Sequence, residues 1–122
     1  MNKKTILVLD DNEDIRRLLN LMLSVEGYNV VEASETDQAL TNIRDTNIDL
    51  IITDLIMPDK DGLEVIKELR RGFPKIKIIA ISAGGRIGPS TYLDMAGKLG
   101  ADRVFNKPFN QQEIVEAVKE LI

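Results

Sequence analysis

Apolar runs that leave no water-facing side recur along this chain, and charged or hydroxyl residues close them. Thr5-Ile6-Leu7-Val8-Leu9 runs into Asp10 and Asp11, Leu50-Ile51-Ile52-Thr53 into Asp54, and Ile76–Ile81 into Ser82. The short run Arg103–Asn106 precedes Lys107. A strand buried on both faces reads as a continuous apolar run, whereas a strand with one wet face alternates. Segments with helical spacing separate the runs, and that alternation restricts the chain to an α/β fold around a parallel sheet.

The helical segments carry their own start and stop signals. Ile15, Leu18, Leu19, Met22 and Leu23 recur at the spacing of one helix face, and Gly27 is placed to end that helix. A second strand is expected from about Tyr28 to Ala33. Ser34 and Asp37 then form a capping-box pattern ahead of a helix with Ala39, Leu40 and Ile43 inward. A third helix should bury Leu63, Val65, Ile66 and Leu69 and stop near Gly72 and Pro74. A fourth should start at Pro89, with Tyr92, Met95, Ala96 and Leu99 inward. Asn110 and Glu113 make another capping box, opening a last helix that presents Ile114, Val115, Val118 and Leu121. With 122 residues and no repeat or linker, residues 1–122 are expected to form one domain with a single role and no output domain.

Composition removes several function classes. There is no cysteine, hence no disulfide framework or thiol chemistry, and a reducing cytoplasm is the expected compartment. No run approaches the ~20 apolar residues of a membrane span. A net charge of −4 gives no basic footprint for nucleic acid, and no helix-turn-helix is evident. Histidine is absent, so the chain offers no imidazole base and cannot be a phosphohistidine donor.

The chemistry gathers at the strand ends. Open α/β sheets place ligand sites beyond the carboxyl ends of their strands. There, Asp10, Asp11, Asp54 and Lys107 would make a pocket for a divalent cation and an anion. Each residue alone has a plain explanation: an Asp caps the next helix, a Ser turns the chain, a Lys is solvated. Carboxylates crowded within ~4 Å repel by an energy on the order of a few kcal/mol even at an effective dielectric near ~20, so a bound cation is the simplest rationale for the group. Oxygen-only ligands with open positions suit Mg2+.

These landmarks, in this order over residues 5–122, resemble the receiver domain of two-component response regulators. The acidic pair Asp10 and Asp11, the stretch Asp54-Leu55-Ile56-Met57-Pro58-Asp59-Lys60-Asp61-Gly62, the hydroxyl in Ser82-Ala83, and Lys107-Pro108-Phe109 carry the resemblance. It implies a doubly wound, flavodoxin-like (βα)5 fold with a five-stranded parallel sheet in the order 2-1-3-4-5. It also implies Asp54 as phosphoacceptor and nucleophile. Mg2+ would be held directly by Asp11, Asp54 and the Ile56 carbonyl, and by Asp10 through a water. Lys107 and Ser82 would contact the phosphoryl group, and Lys107-Pro108 would be a cis peptide. Gly62 is read as relieving backbone strain between loop and helix.

The implied function is a phosphorylation-dependent signalling switch rather than an enzyme. It would take its phosphoryl group from a sensor histidine kinase or His-phosphotransfer protein. It would then signal to a downstream protein through the fourth helix, fifth strand and fifth helix, as a monomer or a phosphorylation-linked dimer. Two other readings compete: a receiver-like interaction module that is never phosphorylated, and a Mg2+-dependent phosphatase with an Asp nucleophile. The phosphatase reading wants an Asp-x-Asp after the first strand, where this chain has Asn12. Two departures from the family pattern stand out. Val104 occupies the position where many receivers carry a switching aromatic, so backbone movement of residues 82–91 is expected to carry the signal. Ile56 and Gly84, at positions that tune phosphoryl lifetime, have no polar side chain, which predicts slow self-dephosphorylation. The stretch 84–88 is glycine-rich but lacks the lysine and helix start of a phosphate-binding P-loop.

Overall fold

The structure is a computed structural model that describes residues 3–57, 61–82 and 89–122. Its elements alternate throughout. They are β1 (Thr5–Leu9), α1 (Glu13–Val25), β2 (Asn29–Ala33), α2 (Thr36–Asp45), β3 (Leu50–Asp54), α3 (Gly62–Gly72), β4 (Lys77–Ser82), α4 (Pro89–Leu99), β5 (Arg103–Asn106) and α5 (Gln111–Leu121). The strands form one five-stranded parallel sheet in the order β2-β1-β3-β4-β5. The parallel sheet is the one the sequence pattern predicts, and the strand order is the doubly wound one that the resemblance implies.

Successive residues of the inner strands point to opposite faces, and both faces are apolar. On one face Leu7, Leu9, Ile51, Ile78 and Ala80 pack with Ala39 and Ile43 of α2, Val65, Ile66 and Leu69 of α3, and Ala96 of α4. On the other, Ile6, Val8, Leu50, Ile52, Ile79 and Ile81 meet Leu19 and Leu23 of α1 and Ile114, Val115 and Val118 of α5. All five residues of β3 are buried. The register aligns Leu9 with Ala33 and Thr53, and Asp54 with Ile81, so the carboxyl ends of the strands line up at one edge.

Helix boundaries follow the expected signals with three corrections. Gly27 follows the end of α1 with φ +98°, a conformation that suits glycine, and Asn110 caps α5 by accepting from the Glu113 amide at 3.0 Å. The cap expected at Ser34 does not form. The N-cap residue is Glu35, in extended conformation, and the Gln38 side chain reaches back to accept from the Ser34 amide at 3.1 Å. Met95 does not face inward but is 45 % exposed. Ala96 and Leu99 supply the seam by which α4 meets the core, and Met95 lies about 100° around the helix from Ala96. The Tyr92 side chain, expected inward, falls outside the described residues.

Gly62 is the third correction. Its φ is not positive, so left-handed backbone is not the reason for glycine there. An isolated antiparallel bridge pairs Ile56 with Asp61, and the Gly62 amide donates to the Leu55 carbonyl at 3.1 Å. A Cβ on Gly62 would run into the carbonyl oxygen and Cα of Leu55. Close approach of two backbone segments, rather than torsional strain, excludes a side chain.

Candidate functional site

Each strand end delivers one piece of the site. Asp10 follows β1, with its amide donating to the Ala33 carbonyl at 3.2 Å. Its carboxylate is spoken for on both oxygens: Oδ1 accepts from the Asn12 amide at 2.9 Å and Oδ2 accepts from Lys107 Nζ at 2.9 Å. Asn12 in turn caps α1 by accepting from the Ile15 amide at 3.1 Å. The helix cap expected of Asp10 or Asp11 therefore belongs to Asn12, whose side chain fills a structural role where a phosphatase of the Asp-x-Asp type would need a second carboxylate.

Asp54 ends β3 and is 6 % exposed. Its Oδ1 accepts from the Ile56 amide at 3.0 Å, and its Oδ2 accepts from Lys107 Nζ at 3.1 Å. One ammonium thus bridges two buried carboxylates contributed by strands that neighbour each other at the reversal of strand order, the crevice that open α/β sheets use for ligands. Asp11 is exposed and completes the group: carboxylate oxygens of Asp10, Asp11 and Asp54 lie within 4.8 Å of one another.

Backbone hydrogen bonds fix the rest of the rim. Ser82, fully buried at the end of β4, accepts through its carbonyl from the Lys107 amide at 2.7 Å, and the Leu55 amide donates to the Ile81 carbonyl at 2.8 Å. Lys107-Pro108 is a cis peptide, as the resemblance implies. Ile56 is 50 % exposed beside the acidic group. Pro58, Asp59, Lys60 and the glycine-rich stretch 84–88, including Gly84 and Arg86, fall outside the described residues.

Burial and charge act against each other on the two central groups. Withdrawal from water pushes the Asp54 carboxyl above its ordinary value, opposed by the Ile56 amide and the Lys107 ammonium, while Asp10 adds to the rise. Burial alone would lower Lys107, but its hydrogen bond to Asp10 and the charges of Asp10 and Asp54 outweigh it, and the ammonium is held above its ordinary value. Three carboxylates face one ammonium, so the cluster carries an excess of negative charge. An all-oxygen donor set with one exposed member fits a small hard cation that keeps some of its water.

Sequence reasoning missed two residues. Asn12 was legible as an Asn preceding a helical run. Arg16, whose Nη1 donates to the Asp10 carbonyl at 2.9 Å, carries no signal of its own among the charged residues of α1.

With that geometry in place, comparison with known proteins decides the family. The model of the response regulator receiver domain matches residues 6–119. The chain belongs to this family. Receiver domains are the signalling switches of two-component systems, controlled by phosphorylation and working with histidine kinases. The transcriptional regulatory protein CpxR of Escherichia coli K12 is 35 % identical over 122 residues, covering 100 % of this chain and 50 % of CpxR. The response regulator GtcR of Aneurinibacillus migulanus is 39 % identical over 116 residues, covering 95 % of this chain and 46 % of GtcR. The chain spans about half the length of the curated relatives it matches. Among solved structures, the response regulator TrrA of Thermotoga maritima, in complex with Mg2+ and BeF, superposes with a TM-score of 0.84 at 38 % identity. That match covers 98 % of this receiver and 99 % of TrrA. Among the described residues, no helix is long and apolar enough to cross a membrane.

Proposed function

We propose that this receiver accepts a phosphoryl group on Asp54 from a phosphohistidine of a sensor histidine kinase or His-phosphotransfer protein. The observation that carries the reading is the Lys107 ammonium bridging Asp10 and Asp54, 2.9 and 3.1 Å away, at the edge where three carboxylates converge. Packing gives no reason to bury two acids around one base. Phosphoryl transfer does, because positioning and charge neutralisation do most of the catalysis there.

In this reading an Asp54 carboxylate oxygen attacks phosphorus as the bond to the donor imidazole nitrogen breaks, and the electron pair leaves with the imidazole. The Ile56 amide on Oδ1 sets the plane of the carboxylate, and Lys107 on Oδ2 is placed to share its charge with an incoming phosphoryl oxygen. Ser82 lies at the end of β4 to hydrogen-bond that group once it has arrived. Asp11, Asp54 and the Ile56 carbonyl would hold Mg2+, with Asp10 behind a water, and the ion when bound would neutralise negative charge on the phosphoryl oxygens. The switched state is then read by protein contact through α4, β5 and α5, by a downstream protein or a second receiver.

The test is incubation with acetyl phosphate and Mg2+, followed by intact mass. A gain of one phosphoryl group that EDTA and Asp54→Asn both abolish is expected. A chain that binds Mg2+ at these residues and yet gains nothing from acetyl phosphate or from a phosphorylated kinase would be an interaction module with a receiver's shape.

A further inference from the structure

Behind the acidic pair, a chain of side-chain hydrogen bonds runs from α1 to the edge strand β2 and returns to the site through one backbone atom. Arg16 is its centre. Its Nη1 donates to the Asp10 carbonyl at 2.9 Å and its Nε to Glu32 Oε1 at 3.0 Å. The other oxygen of Glu32 accepts from Asn20 Nδ2 at 2.7 Å, and Asn20 Oδ1 accepts from the Ser24 hydroxyl at 2.8 Å. The Arg16 side chain is 16 % exposed, so this guanidinium is not a solvated surface charge.

The Asp10 carbonyl belongs to the peptide that leads into Asp11. That peptide is planar, so holding its oxygen also orients the Asp11 amide and the Cα from which the Asp11 carboxylate departs. The other polar groups of Asp10 are committed to Ala33, Asn12 and Lys107. We propose that Arg16, steadied by Glu32, is a positioning residue that aims the Asp10–Asp11 peptide and thereby sets the affinity of the acidic group for a divalent cation. The proposal rests on the reading of that group as a Mg2+ site.

Geometry and charge make opposite forecasts here. A positive charge near a cation site weakens cation binding, so if charge were the whole effect, removing Arg16 would tighten Mg2+. If Arg16 aims the peptide, removing it loosens Mg2+. A lysine keeps the charge but is a single point donor and cannot fork between a carbonyl and a carboxylate. Glu32→Gln keeps an acceptor for Arg16 while leaving its charge unbalanced.

The experiment is Mg2+ titration of the 122-residue chain followed by the amide resonances of Asp11 and Asn12, with thermal unfolding recorded alongside. Arg16→Met and Arg16→Lys are each expected to weaken Mg2+ by about tenfold, the scale seen when an outer partner of a metal ligand is lost. Glu32→Gln should stay within about twofold of wild type by the same reasoning. If Arg16→Met does not fold, Arg16→Lys, which keeps the stem and the charge, decides the matter. Unchanged or tighter Mg2+ binding in a folded Arg16 variant, even one with a lowered melting temperature, overturns the positioning role alone. So does full retention of affinity by Arg16→Lys. A wild type whose Asp11 and Asn12 amides ignore Mg2+ overturns both this proposal and the reading of the site.

Discussion

At Asp54 a carboxylate is withdrawn from water and given two compensations, the Ile56 amide and the Lys107 ammonium. The compensation is incomplete, since burial still holds the carboxyl above its ordinary value of 3.8. The folded state therefore binds the Asp54 proton more tightly than the unfolded chain does. Stability from this group is fully present below pH 3.8 and is lost as pH rises through the folded value. Once pH exceeds that folded value, the ionised Asp54 carboxylate is a cost to the metal-free fold that Asn would not incur. Metal-free Asp54→Asn is accordingly expected to melt above wild type at neutral pH, with the gap closing as pH falls towards 3.8. A wild type that melts higher at neutral pH would mean that attraction to Lys107 outweighs burial.

Elements depend on contacts of a few atoms at their ends. The start of α3 is set by Gly62 lying against the backbone of Leu55, one residue beyond Asp54. Gly62→Ala must push that loop away, at a cost of about 1–3 kcal/mol. Chemical denaturation should show this as a lower midpoint with an unchanged slope, and phosphorylation should slow because Ile56 moves with the loop. A stable, fully active Gly62→Ala would show that the loop has room the geometry denies. Helix ends also mark the limit of what a sequence discloses. The caps at Asn110 and the stop at Gly27 are local patterns and were readable. The start of α2 departs from the capping-box pattern of Ser34 and Asp37 because the helix begins one residue later, after an extended Glu35, leaving Gln38 to bond the Ser34 amide. Met95 was misread because a short helix meets its core along a seam narrower than its run of apolar residues. Arg16 left no trace, since its partners Asp10 and Glu32 come together only when α1 packs beside β1 and β2.

For the whole molecule, the parallel sheet was legible because the inner strands are apolar on both faces and need helices over each, while the doubly wound strand order came from the family resemblance. The acidic group was legible because strand ends in such a sheet converge. In the proposed switch, the state leaves the site by the opposite flank. Val104 is exposed on β5 while Phe105 packs into the core under α1 and α5, so no aromatic side chain stands at position 104 to rotate inward. Among the described residues a backbone bond joins the two sides, the Lys107 amide donating to the Ser82 carbonyl at 2.7 Å. Addition of Mg2+ and beryllofluoride is expected to shift the amides of Ser82, Ser90, Thr91 and Lys107, and to leave those of α2 nearly unchanged. Unmoved amides at 82 and 90–91 would place the readout elsewhere on the surface.

The central claim is that Asp54 is the residue that carries the phosphoryl group, and reductive trapping tests it most directly. Borohydride converts an acyl phosphate to an alcohol, so a phosphorylated aspartate becomes homoserine, and peptide mass spectrometry locates the change. Homoserine is expected at position 54, formed only after treatment with phosphodonor and Mg2+. Trapping at Asp10 or Asp11 instead, or none at any aspartate while a phosphodonor is consumed, would contradict it.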